Sequence, residues 1–143
     1  MEDFLRQGPI SPEHRLAAIA AIPQVRMTRR IVGITELSEP NGPRHYPDSI
    51  GLIGNWKRPG PVYELPLSCL YGREVSNLIT AGRCISTLDD MWDNTRVIPA
   101  CAVTGEAAGL AAALSNNFAQ INIAELQHRL KARGIPLRMT DHM

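Results

Sequence analysis

Ten of the chain's 22 glycines and prolines fall between Pro40 and Pro66, and this crowding constrains the fold more than any other feature. Glycine loses the most backbone freedom on ordering, and proline lacks an amide donor, so such a stretch forms neither a helix nor a long ladder. It reads as loop and short strand, with VYELPL over Val62–Leu67 as one strand. The second half is Ala-rich and reads as helix. At 143 residues the chain is long enough for one core but too short for two independent ones.

Around that stretch the patterning predicts a short helix from Ser11, with Ser11 as N-cap, Pro12 in the first turn and Pro23 as its far limit. A strand is expected from Thr28 to Leu37, where Gly33 marks a bulge or a close backbone approach. Leu78–Ala81 is a compact apolar run stopped by Gly82, the pattern of a buried strand ending in a tight turn. A long helix begins near Arg96-Val97-Ile98-Pro99, with Pro99 in its first turn. Gly105, Ala108, Gly109 and Ala112 leave one stripe of that helix almost bare backbone. Each helical glycine costs about 1 kcal/mol relative to alanine, so a close neighbour is expected: a helix, a sheet or a ligand. In the last helix Asn122 caps, Glu125 follows three residues on, and Ile123, Leu126 and Leu130 form the apolar stripe. Gly134 then ends it, with Pro136 beyond.

Several function classes are disfavoured. A formal net charge of +1 gives no field that would gather nucleic acid or an anionic membrane surface. No apolar run approaches the roughly 18 residues of a membrane span, and the acidic first residues are unlike a secretory signal. Cys69, Cys84 and Cys101 are odd in number and lack CxxC spacing, so neither a disulfide framework nor a metal site is expected. A reducing, cytoplasmic setting fits that usage.

The chemically informative unit runs from Asn77 to Leu114. A strand ending in Ala81-Gly82, followed by a helix start, presents unpaired amides whose dipole favours an electron-rich ligand edge. The other reading is that Gly82 merely permits a turn and the Ala/Gly stripe packs on a sheet. Neither GxGxxG nor a P-loop occurs, so the turn that normally seats a dinucleotide's pyrophosphate is missing. Arg26, Arg29 and Arg30 cluster at the expected strand's start. Arg26 and Arg30 would share a face and grip a carboxylate or phosphate, or else guard a solvated edge. His45 and Tyr46 lie in the loop without an evident partner. Trp56 and Trp92 either stack on a planar ligand or anchor loops. Cys84 and Cys101 are expected to be buried, inert thiols, although Cys101 sits where a helix dipole stabilises a thiolate.

The block NLITAGRCIS…TRVIPACAVTGEAAGLAAAL resembles the C-terminal signature of the FAD-dependent oxidoreductase family, whose larger relatives include the fumarate reductase and succinate dehydrogenase flavoproteins. VRMTRRIVG, YPDSIG, YELPLSCL and INIAELQHRLKARGIPL are similar to further segments of that family, so the resemblance spans about Phe4 to Leu137. It implies a mixed α/β chain: the C-terminal fragment of a Rossmann-type FAD-binding domain with part of a β-rich substrate domain. The divisions expected are 1–25 as a helical lead-in, 26–75 as substrate domain, 76–120 as the strand and helix of the FAD-binding domain, and 121–143 as terminal helix and tail. It implies that Ala81, Gly82, Arg83, Arg96, Val97, Ile98 and Pro99 contact the flavin, and that Arg26, Arg29 and Arg30 serve the substrate. The reaction implied is hydride transfer between a small organic substrate and FAD. The adenosine half would bind an N-terminal Rossmann portion supplied in cis or in trans, leaving the chain inactive alone. The alternative is a non-catalytic assembly module that joins a separately encoded flavin-binding subunit. DDMWDNT, bulky and acidic, stands where the family often has small residues before RV.

Overall fold

Two short strands carry the scaffold, β1 (Ser49–Gly54) and β2 (Val62–Pro66), paired antiparallel with Gly51 opposite Leu65 and Ile53 opposite Tyr63. The computed structural model describes residues 29–38 and 43–142. The helix expected from Ser11, and Arg26 with it, lie outside the described residues. The strand expected at Val62 is found, but its partner comes from the stretch that reads as loop. A bulge between Ser49 and Gly51 reconciles the glycines with pairing. At the far end Asn55 Oδ1 accepts from the amides of Lys57 and Arg58, and the Asn55 amide bonds the Pro61 carbonyl, which closes the loop.

Three helices follow: α1 (Asp89–Thr95), α2 (Ile98–Leu114) and α3 (Ile123–Ala132). In α2, Ala100, Thr104, Ala107, Ala108 and Ala111 form the buried stripe and face the hairpin. The approach is close because β1 offers a glycine. A Cβ built on Gly51 would lie 2.4 Å from Val103 Cγ1. In α3 the Asn122 side chain accepts from the Glu125 amide at 3.1 Å, as expected of a cap. Gly134, at φ +79°, terminates it in the left-handed conformation that glycine adopts freely. Leu126, Leu130 and Leu137 close the core around Ile50, Leu65, Leu67 and Met91.

The last segment returns to the first strand. Ser49 Oγ donates to the Leu137 carbonyl at 2.7 Å, and Gln127 Nε2 donates to the carbonyls of Pro47 and Ser49. Asp141 accepts from the amides of Leu137 and Arg138, and these bonds hold its carboxyl below the usual range.

Two expected strands are not ladders. Residues 29–38 run between two neighbours with a bend at Ile34 and Thr35, the amides of Ile31 and Leu37 bonding carbonyls of Cys84 and Ser86, and those of Ile34 and Thr35 bonding Tyr71 and Ser68. Their one bridge is Leu37 with Thr87. Gly33 is the expected close approach, since a Cβ there would meet Ser86 Cβ at 2.7 Å. At Leu78–Ala81 only Ile79 bridges, to Tyr71, and Leu78 stays 47% exposed. No strand flanks the run on its other side among the described residues, so nothing buries both its faces.

Candidate functional site

Gly82 begins a single 3-10 turn, Gly82–Cys84, and sits at φ +69°, where a side chain is strained. Its amide donates to Thr104 Oγ1 at 2.9 Å, and that buried hydroxyl in turn bonds the Ala100 carbonyl. The turn therefore lies on the first turns of α2. A second tie runs from Arg83 Nε to the Arg96 carbonyl at 3.4 Å. Ala81, Gly82, Arg83 and Arg96–Pro99 are thus brought together from segments 13 or more residues apart.

The start of α2 is open. Val97 occupies the N-cap position and no side chain among the described residues caps the helix. The first intrahelical bond runs from the Cys101 amide to the Val97 carbonyl, and Pro99 has no amide, so Ile98 presents the orphan donor, while Ala100 is fully buried. Ile98 is 82% exposed. Uncapped amides on a 17-residue helix, with a glycine turn beside them, suit the electron-rich edge of a planar ligand. Asn94, one turn earlier, is buried and its Oδ1 has no partner among the described residues.

The arginines divide. Arg29 is exposed, whereas Arg30 pairs with Glu36 at 2.8 Å. Their segment nevertheless abuts the glycine turn, because the Ile31 amide bonds the Cys84 carbonyl. Arg96 does not point freely outward. Its Nε bonds Asp93 Oδ1 at 2.9 Å, and its guanidinium lies over the Trp92 ring, 5.1 Å from the centroid. Trp92 is consequently buried in α1, not a loop wall available for stacking; Trp56 remains 55% exposed.

The cysteines differ among themselves. Cys69 is fully buried, and burial pushes its thiol up, which leaves it un-ionised. Cys84 is exposed, contrary to the expectation of a buried thiol, because the glycine turn faces outward. Cys101 is half-buried beneath Gly82 and directs Sγ at the Arg96 carbonyl. Among the described residues no group of His, Cys, Asp and Glu is arranged to hold a metal ion.

His45 has a partner that the sequence does not reveal. Its Nδ1 is 3.3 Å from Oε1 of Glu64, a buried carboxylate that also accepts from the Tyr46 amide at 2.8 Å. The Arg138 guanidinium lies against the same imidazole. These groups tie the final segment to β2. No single described helix is long and apolar enough to cross a membrane.

A family model described as FAD dependent oxidoreductase matches residues 2–130. Among curated proteins and among solved structures nothing matches the chain.

Proposed function

Since the chain belongs to the family of FAD-dependent oxidoreductases, with FAD as its cofactor, we propose that it forms the flavin-facing C-terminal part of such an enzyme. FAD, when bound, supplies the two-electron centre that exchanges a hydride with a small organic substrate. The chain supplies position and charge. Ala81, Gly82, Arg83 and the start of α2, where the Ile98 amide has no intrahelical partner, would hold the electron-rich edge of the flavin. The observation that carries this reading is the uncapped start of α2 lying against the Gly82–Cys84 turn.

The pyrophosphate turn belongs to a Rossmann portion joined in cis or in trans, and the outer face of α2 supports this. Gly105 and Gly109 are exposed, and a Cβ on either would meet nothing within 4 Å. Their helix penalty has no compensation among the described residues, which fits a close neighbour in the Rossmann portion. The kinship to fumarate reductase and succinate dehydrogenase flavoproteins rests on the same AGRCIS and RVIP…TGEAAG segments. Arg29 and Arg30, beside the turn, are the described candidates for gripping an anionic substrate.

Purified alone, the chain is expected to carry less than about a tenth of an equivalent of FAD, because half a site cannot supply the free energy of tight binding. Co-expressed with a GxGxxG-bearing Rossmann portion of this family, it is expected to bind one FAD per complex. Flavin absorbance at unit stoichiometry in the isolated chain overturns the divided site. A flavin-loaded complex that no electron donor reduces favours the assembly module instead.

In the loaded complex Arg96→Ala is expected to lower the flavin midpoint potential, whereas Arg29→Ala leaves it in place. Loss of a cation near the helix start disfavours negative charge on the reduced ring. The Asp93 ion pair moderates the effect. Potentiometric titration of both variants is the check, and equal midpoints place the flavin elsewhere.

A further inference from the structure

Asp93 is the point where the β1–β2 loop meets the end of α1. Its Oδ1 accepts from Arg96 Nε at 2.9 Å, and its Oδ2 takes the Lys57 ammonium at 2.5 Å. Its backbone carbonyl accepts from Trp56 Nε1 at 2.9 Å. Consecutive residues of the β1–β2 loop thus engage the backbone and the side chain of one helical residue. The loop arrives ordered, since Asn55 Oδ1 already holds the amides of Lys57 and Arg58. Lys57 also lies 3.9 Å from Asp90 Oδ1, and 5.9 Å from the Trp56 ring centroid.

We infer that Asp93 is a positioning residue of the flavin site: it clamps the β1–β2 loop onto the corner between α1 and α2, fixing Trp56 and the Arg96 guanidinium beside the start of α2. Trp56 is then the exposed aromatic wall of that corner, and Trp92 the buried platform beneath Arg96. The inference rests on the proposed flavin site for its significance, but not for its measurement. The two cations hold the Asp93 carboxyl below the usual range, Lys57 contributing most, so the clamp stays charged through mild acid. Ion pairs this exposed add little to global stability, which separates positioning from folding.

The test is proton–nitrogen NMR of the 143-residue chain without flavin, following the Trp56 indole N–H and the Arg96 Nε–H. Asp93→Ala is expected to raise solvent exchange of the Trp56 indole proton at least about fivefold and to broaden the Arg96 signal away, with Tm within about 3 °C of wild type. Asp93→Glu is expected to retain both signals. Lys57→Met should reproduce the Trp56 change alone. Unaltered exchange in both Asp93→Ala and Lys57→Met overturns the clamp. If the clamp signals respond while Arg96→Ala leaves the flavin midpoint untouched in the complex, the clamp stands and the flavin placement fails.

Discussion

Replacing Gly105 and Gly109 together by leucine is expected to stabilise the isolated chain by about 1–2 kcal/mol and to abolish flavin capture by the assembled enzyme. The two effects have opposite signs for one reason. Leucine is a far better helix former than glycine, and both positions face open space, so the substitution meets no obstacle among the described residues. The same side chains then stand where a closely packed neighbour belongs, and overpacking such a contact keeps the partner away. Denaturant unfolding of the chain gives the first number. Flavin stoichiometry of the co-expressed complex gives the second. A double variant that binds flavin normally shows that the α2 face has no close partner and that its glycines admit none.

Gly51→Ala is expected to destabilise the chain by about 3 kcal/mol, with Tm falling by some 10 °C. The new methyl group would sit 2.4 Å from Val103 Cγ1, well inside contact distance. Valine in a helix is held near one rotamer and cannot swing aside, so either α2 or β1 must shift. Val103→Ala removes the obstructing atom. In a double-mutant cycle the pair should therefore couple by at least about 1 kcal/mol, the double variant being more stable than additivity predicts. Additive losses would mean that the strand and helix are not closely apposed at Gly51.

What is legible in the sequence is what local chemistry decides. Asn122 with Glu125, the stop at Gly134, Pro99 in the first turn of α2 and the turn at Gly82 depend on residues within a few positions of one another, and each is found. Gly33 is legible too, since a glycine amid β-branched neighbours weakens an extended segment unless another chain must come close there. Long-range partners stay hidden. β1 contains Gly51 and Gly54 and reads as loop until β2 supplies its pairing. α1 hides because it buries Asn94 and Thr95, which break the apolar period, and because Asp89 enters it at φ +48°. Leu78–Ala81 misleads in the opposite direction, an apolar run whose burial depends on neighbours beyond itself.

The candidate site divides in the same way. Motif resemblance picks out the Gly82 turn and the helix start, and the structure places them in contact. Arg96 meets Asp93 and Trp92 at three- and four-residue spacing, but that is legible only once residues 89–95 are known to be helical, and nothing local announces that Arg30 turns to Glu36. Outside a helix, charged side chains choose partners after the backbone is placed, so a pair such as Arg30 with Glu36 cannot be read from spacing alone.

The bonds from Ser49 to Leu137, and from Gln127 back to Pro47 and Ser49, span 78 to 88 positions of sequence. During synthesis the hairpin therefore emerges long before the residues that seal it, by roughly 5–15 s at ordinary elongation rates. A lone two-stranded hairpin is marginal in water, so Ile50, Ile53 and Leu65 stay uncovered until α2 emerges and incompletely covered until α3 and Leu137 follow. The nascent polypeptide is a natural client for a holding chaperone, and a slower ribosome should lower its soluble yield.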